Sequence, residues 1–194
     1  NLNLASRSIK YKFRFFNQNS EEVVPLSGQA EGEEYILPDQ KKYIMASRVV
    51  FDQRVSSAKL EILNEPVWQM KPELPKIKLV AEPVRVSQQL TPPAFVAEGY
   101  IQNSSANMLK KVRLVFFVRD SAGILVNMSQ RDEFDLRPLE RRAYKQLWPG
   151  FEARGLVKVS VFAETNVLDP QNLKLEPLPN SSSSDLSRPE LEAY

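Results

Sequence analysis

The side chains that most often perform acid–base or metal chemistry near neutral pH are missing from this sequence, which contains neither histidine nor cysteine. The chain therefore lacks the commonest general base, the commonest metal ligand and the thiol nucleophile. No G-x-S-x-G, P-loop or G-x-G-x-x-G segment occurs, and the sequence has only six glycines. We therefore predict no catalytic, cofactor-binding or metal-binding residues, and we expect the protein not to be an enzyme and to use no cofactor.

Carboxylates are the remaining candidates for acid–base or cation chemistry, and they cluster twice. The clusters comprise Glu31, Glu33 and Glu34, and Asp132, Glu133 and Asp135. Neither has the D-x-[DN]-x-[DN]-G spacing of a calcium loop. Both fall in predicted turns and on strand exteriors, so we expect solvated surface.

Two basic pairs, Lys41-Lys42 and Arg141-Arg142, each have a tyrosine beside them, Tyr43 and Tyr144 respectively. Such a surface could stack nucleic-acid bases. Acidic residues surround both pairs, however, and Lys and Arg number 26 against 24 Asp and Glu, a net charge of only +2. We favour charged protection of an exposed strand edge, and expect no nucleic-acid partner.

Tryptophan could anchor a partner. Trp148 opens the sequence Trp-Pro-Gly-Phe, which suits either an exposed anchor or, as we favour, the capped end of a β-sandwich core. Trp68 follows the last predicted strand of the first half, and we expect it to pack between domains.

The elements that must position these residues are strands, because apolar residues recur with period two. The alternating sets are Ile9, Tyr11, Phe13 and Phe15; Val112, Leu114, Phe116 and Val118; and Val157, Val159 and Val161. No stretch has the 3.6-residue period of an amphipathic helix, and no run of about 18 apolar residues occurs. The sequence predicts an all-β protein.

The two halves of the chain resemble each other at an offset of about one hundred residues. Residues 15–20 match 116–121, residues 34–38 match 133–137, residues 40–43 match 140–144, residues 58–62 match 158–162, and residues 67–68 match 167–168. This is the spacing of immunoglobulin-like (Ig-like) sandwiches. We predict two tandem antiparallel Ig-like β-sandwich domains.

The predicted domains are residues 1–70 and 77–169, joined by a proline-containing linker at 71–76 and followed by a flexible, Pro- and Ser-rich tail at 170–194. The second domain has two opening strands, around 77–83 and 94–102, without counterparts in the first. We therefore expect the first domain to lack its opening strands here, and upstream sequence to supply them.

Residues 117–123, a strand entering an Asp-x-x-Gly turn after residues 99–103, resemble the FxLYD-type β-sandwich of bacterial surface proteins, with Val118-Arg119 in place of Leu-Tyr. Residues 35–44, 67–68 and 163–168 are similar to uncharacterised membrane-anchored proteins of candidate-phylum bacteria. The resemblance covers most of residues 1–169.

This resemblance implies an upstream transmembrane helix and a Cys-containing segment, an extracytoplasmic location, and other envelope proteins as partners. Membrane contact would occur only through that upstream segment. We expect a non-enzymatic structural or interaction module. The alternatives are a subunit of a surface filament, pilus or secretion assembly that uses strand-edge pairing, and a carbohydrate-binding module that uses Trp68 or Trp148. Neither the ligand nor the oligomeric state follows from the sequence.

Overall fold

The computed structural model describes residues 4–70, 73–91, 93–153, 155 and 157–175. These residues form antiparallel strands almost throughout, with one short 3-10 helix at Pro170–Asn172 and no α-helix within those ranges. The predicted all-β fold is confirmed. We call residues 4–70 the first half and residues 73–175 the second half.

The strands follow in chain order. In the first half they are β1 (Leu4–Phe16), β2 (Glu22–Val23), β3 (Ser27–Gln29), β4 (Glu31–Ile36), β5 (Ser47–Val50), β6 (Ser57–Ile62) and β7 (Trp68–Met70). In the second half they are β8 (Leu79–Leu90), β9 (Pro93–Asn103), β10 (Asn107–Arg119), β11 (Leu125–Leu136), β12 (Arg141–Pro149), β13 (Lys158–Glu164) and β14 (Leu173–Leu175).

One long central strand organises each half. In the first half, β1 pairs with β2 and β4 along one edge and with β6 and β7 along the other, while β3 and β5 form a separate pair. In the second half, β10 pairs with β11 along one edge and with β13 and β14 along the other. A second sheet of the second half, β12-β9-β8, has no counterpart among the described residues of the first half.

The main core lies between the two sheets of the second half. The Phe116 ring on β10 lies 5.4 Å from the ring of Tyr144 and 5.9 Å from that of Trp148, both on β12. Phe151 packs against Phe95, also at the edge of this core. The predicted capping role of the Trp148 segment is confirmed, because Trp148 is only 5% exposed.

The same turn follows both central strands. Asn17 Oδ1 accepts hydrogen bonds from the amides two and four residues later, and Asp120 Oδ1 does the same. The third residue after each has positive φ, 62° at Ser20 and 81° at Gly123. Asn17 thus corresponds to Asp120, two residues beyond the match that the sequence suggested. A turn of this kind is defined by the Asn or Asp residue whose side chain closes it and by the residue with positive φ three positions later. These two residues therefore determine the alignment of the turns, whereas the apolar residues before them do not.

A second turn is also shared. The amide of Leu37 donates to Gln40 Oε1 and the amide of Gln40 to the Leu37 carbonyl, and Arg137 and Glu140 repeat both bonds. This confirms the match of Gln40 with Glu140, and it places Leu37 with Arg137, one residue beyond the predicted match of Leu37 with Leu136.

The strand register tests the remaining matches. Glu34 lies opposite Ile9 and Glu133 opposite Val112, which confirms the match between the two glutamates. On the other edge, Leu60 lies opposite Phe13 whereas Val161 lies opposite Phe116. Leu60 therefore corresponds to Val161 and not, as predicted, to Ser160, because partners of the same central position share one face of the sheet.

The predicted tail beginning at residue 170 is wrong for its first residues. Asp169 caps the 3-10 turn at Pro170–Asn172, and β14 then pairs with the start of β10, as β7 pairs with the start of β1. Trp68 thus corresponds to Leu173 rather than Leu168. Residues 71–72 of the linker and 176–194 of the tail lie outside the described residues. The division into domains remains a prediction.

Candidate functional site

Four charged side chains meet between the halves, and we call them the charged joint: Glu34, Lys42, Arg113 and Glu164. Lys42 Nζ lies 2.7 Å from Glu164 Oε1 and 3.1 Å from Glu34 Oε2. The Arg113 guanidinium donates to Glu34 and lies 3.7 Å from Glu164 Oε1. The side chains of Lys42 and Glu34 are only 3% and 6% exposed. Each half contributes two of the four residues, so the network links them.

Strand and turn geometry brings these residues together. Glu34 lies on β4, and Lys42 follows the turn closed by Leu37 and Gln40. Arg113 on β10 and Glu164, the last residue of β13, are direct cross-strand partners. Gln40 Nε2 also donates to Glu164 Oε2 at 3.3 Å, so the turn itself contacts the second half.

The charges of the joint balance, two positive and two negative. Burial alone disfavours every charged form, so such a network persists only when each ion keeps its partners. Burial lowers the pKa of Arg113, but the hydrogen bond to Glu34 and the charges of Glu34, Glu164 and Asp132 more than offset this, and that pKa lies above its ordinary value. Arg113 Nε also lies 3.6 Å from Asp132 Oδ1, which extends the network towards the surface.

Tyr35 supports the joint from the first half. Lys42 Nζ lies 3.7 Å from the centroid of the Tyr35 ring, a cation–π contact in a desolvated setting. Burial, followed by the negative charge of Glu164, raises the pKa of Tyr35 far above its ordinary value. The phenol therefore stays neutral, and the ring face stays available to the ammonium group.

An apolar cluster flanks the charges. Ala5 and Tyr35 of the first half and Leu168 of the second are buried together, with Leu37 and Leu74 packed against them. The contact between the halves thus combines hydrophobic burial with ion pairing.

Aromatic rings make the third contact between the halves. Tyr43 packs edge-on against Phe117 at 4.6 Å between ring centroids and lies 6.1 Å from Phe162. Phe117 is 3% exposed although it is on the face of β10 opposite the core residue Phe116. The first half therefore covers the outer face of the second-half sheet.

A pocket of about 190 Å³ lies beside the charged joint, lined in part by Lys111, Thr165 and Asn172. Asn172 Nδ2 donates to Thr165 Oγ1 and to the Asn166 carbonyl, and Asn172 Oδ1 accepts from the Lys111 amide. Thr165 Oγ1 donates to the Lys111 carbonyl. These groups satisfy one another, which is the arrangement of a structural cluster rather than a site open to a ligand.

The glutamate–cation pair of the joint recurs in the second half. Arg142 Nη1 lies 3.8 Å from Glu133 Oε2, at the positions matching Lys42 and Glu34, and Glu133 is 8% exposed. The prediction that both acidic clusters are solvated surface is wrong for Glu34 and Glu133. The prediction fails because the turn after each glutamate brings a cationic side chain back to it, from Lys42 eight residues after Glu34 and from Arg142 nine residues after Glu133. This spacing between opposite charges was the signal that the sequence analysis missed.

The two basic pairs have different environments. Lys41 is exposed, whereas Lys42 is buried in the joint, so the predicted edge protection is wrong for Lys42. The Arg141 guanidinium lies 4.1 Å from the centroid of the Tyr100 ring on the neighbouring strand β9. Tyr144 is buried, so no row of free aromatic rings follows the basic pairs.

The aromatic candidates for sugar binding separate in the same way. Trp148 is buried in the core, while Trp68 is 49% exposed beside Ser6. Trp68 belongs to neither buried cluster, contrary to the expected packing between domains. Only Trp68 is left accessible for stacking on a ligand.

The described ranges hold no cluster of three or more acidic residues arranged to bind a metal ion. In the same part of the chain, no helix has the length and apolarity that crossing a bilayer requires. A scan against family models, a search of the curated proteins and a search of the solved structures each find no match. The functional argument therefore rests on the contacts between the two halves.

Proposed function

We propose that this chain is a non-enzymatic structural or interaction module, a pair of Ig-like sandwiches on the extracytoplasmic side of a bacterial membrane. The charged joint carries the proposal. Buried ion pairs are directional, since a small rotation of one half would leave charges without partners. A pair of units held in one orientation suits a spacer that presents its turns and edges to a partner.

The contacts also argue against chemistry in the joint. Lys42, Arg113, Glu34 and Glu164 are all engaged with one another, and a general acid or base must instead meet a substrate proton. The resemblance to FxLYD-type and membrane-anchored proteins is the basis for the envelope location. Other envelope proteins are the partners that it implies.

Cell fractionation tests the location. The full-length tagged protein is expressed in its own cell type, intact cells are treated with protease, and membrane and soluble fractions are compared. We expect the tagged protein in the membrane fraction and degraded from outside. A soluble, protease-protected protein would refute this location.

Cross-linking in the same cells tests the role of the joint. Lys42→Met disrupts the joint, while Lys41→Met removes the neighbouring exposed charge. We expect cross-linked partner complexes, measured per molecule of folded protein, to be lost in Lys42→Met and retained in Lys41→Met. Equal capture by both variants would mean that the orientation of the halves is irrelevant to binding.

A second candidate, a subunit of a surface assembly, is favoured by the edge strand β6. Among the described residues it pairs only with β1, and Leu60 and Ile62 on it are 42% and 46% exposed. An open apolar edge strand can accept a strand from a neighbour. Size-exclusion chromatography and electron microscopy of the purified chain test this, and monomers at high concentration would oppose it.

A further inference from the structure

One face of the first-half sheet is more exposed than its equivalent in the second half. We call Phe13, Leu60 and Ile62 the open face. Phe13 is half-buried, Leu60 is 42% exposed and Ile62 is 46% exposed. By strand register, Phe13 corresponds to Phe116, which is fully buried.

The second half shows what covers this face. The positions equivalent to Leu60 and Ile62 are Val161 and Ala163, which pack against the main core. Strand β8 lies against β13 there, and β9 supplies Phe95, Ala97 and Ile101 to the core. The cover is thus the β8–β9 hairpin, in which apolar residues on every second position face inward.

Described residues of the first half cover this face only in part. Ile9, Tyr11 and Phe15 on the same face of β1 are buried, and Phe51 packs against Phe15 at 4.7 Å between ring centroids, whereas Leu60 and Ile62 on β6 stay exposed. The start of the segment matching β12 passes to the joint, where Tyr43 packs on Phe117 of the second half, and its end forms β5, which pairs with β3. Lys59 and Glu61 alternate with the open-face residues on β6 and are exposed, so the other side of that strand is suited to water. Only one side of β6 needs an apolar neighbour.

We propose that the open face is the docking site for a β-hairpin built like β8–β9, carried by the same polypeptide ahead of β1. In the second half the hairpin reaches the central strand through residues 104–106 alone. Because β1 repeats β10 in pairing and in its following turn, the hairpin belongs at the same place. The occupant has alternating apolar residues, with an aromatic residue where β9 has Phe95. The proposal concerns the fold of the first half and does not depend on where the protein works.

A chimaeric chain tests the proposal directly. Residues 77–106 are duplicated and fused before Leu4, which reproduces the connection between Asn103 and Asn107. Hydrogen exchange at the amides of β6 and binding of a hydrophobic dye are compared in this chain and in residues 1–194. We expect exchange at β6 to slow by at least about tenfold and dye fluorescence to fall.

Two substitutions on adjacent residues provide matched variants. Leu60→Lys places a charge on the open face, and Glu61→Lys places the same charge on the opposite side of β6. In residues 1–194 both should leave folding intact, because both sites are exposed. In the chimaera, Leu60→Lys should abolish the protection of β6 and Glu61→Lys should retain it.

A synthetic peptide of residues 77–106 added to residues 1–194 provides a second test, should the chimaera fold poorly. Protection of β6 by the peptide, lost with Leu60→Lys, would support the same docking site. If neither the chimaera nor the peptide protects β6, or if Leu60→Lys and Glu61→Lys act alike, the proposal is overturned. Concentration-dependent dimers of residues 1–194 that protect β6 would overturn it too, because the occupant would then be a second copy.

Discussion

Replacing Lys42 by Met should destabilise the protein far more than the same replacement one residue earlier. Lys42 Nζ contacts both glutamates of the joint, at 3.1 Å from Glu34 and 2.7 Å from Glu164, and its side chain is 3% exposed. Methionine has a similar length and fills the space without the charge. Two buried carboxylates would then share the single guanidinium of Arg113.

The magnitude follows from the remaining contacts. Removing one partner of a buried ion pair costs about 3 to 5 kcal/mol. Glu34 keeps Arg113, and Glu164 keeps the hydrogen bond from Gln40, so we expect the lower end, about 3 kcal/mol. For a chain of this size that corresponds to a fall in melting temperature of about 6 to 12 °C. Lys41→Met, at an exposed side chain, should stay within about 0.5 kcal/mol of the parent protein.

Urea denaturation followed by circular dichroism measures both free energies of unfolding. A double variant, Lys42→Met with Glu164→Gln, removes one charge of each sign, and we expect it to recover at least about 1 kcal/mol relative to the sum of the single variants. If Lys42→Met were no more destabilising than Lys41→Met, the joint would contribute nothing to the union of the halves. Strict additivity in the double variant would refute the coupling of Lys42 and Glu164.

Three further predictions concern the second half. A Cβ at Gly99 would lie 2.1 Å from the Glu82 carbonyl oxygen, so Gly99→Ala should lower the free energy of unfolding by about 2 to 3 kcal/mol, measured by thermal unfolding. At Gly123 an added Cβ meets no atom within 4 Å, but φ is +81°, so Gly123→Ala should lower it by about 1 kcal/mol. A larger loss for Gly123→Ala than for Gly99→Ala would contradict this. Asn103 Nδ2 donates to the carbonyls of Asn107, Leu136 and Arg137. Asn103→Ala should therefore lower the free energy of unfolding in urea by about 3 kcal/mol, whereas Gln102→Ala, at an exposed side chain, should lower it by under about 0.5 kcal/mol. Equal losses in the two variants would contradict this role of Asn103. Burial raises the pKa of Tyr144 to about 12, so as pH rises the unfolded chain releases this proton before the folded chain does. The free energy of unfolding should therefore fall between about pH 10 and 12, by about 1.4 kcal/mol per pH unit for this group. Tyr144→Phe should remove this contribution to the pH dependence, and an unchanged slope would contradict the role given to Tyr144.

The strands were predictable because apolar residues recur at every second position along them. Ile9 to Phe15 on β1 and Val112 to Val118 on β10 line one face each, as the period of two required. The repeat was also visible, because matching glutamates and matching turns occur in the two halves at similar offsets. Its register was displaced by one or two residues in the strands and turns, and by five at Trp68, because short apolar blocks match at several alignments, whereas hydrogen bonds fix a single one.

The charged joint was not predictable from local sequence. Charged residues in turns are usually solvated, and the one local signal at Lys42, its spacing from Glu34, indicates an ion pair but not burial. Its burial depends on Glu164, more than a hundred residues away, and on the outer face of β10. Strand β14 was missed for a related reason: three residues after a proline turn carry little pattern, and their pairing with β10 supplies the order.

The outer faces of the two central strands determine how many units this joint can connect. Val115 and Phe117 are apolar and buried, and Phe117 packs against Tyr43 of the first half, while the equivalent positions on β1 are Lys12 and Arg14. At the other end, the position of Tyr43 is taken by Ala143, and the neighbouring Tyr144 points into its own core. A third unit would find no apolar surface at these positions of the first half and no aromatic residue at the Tyr43 position of the second half. This kind of contact therefore joins only two units.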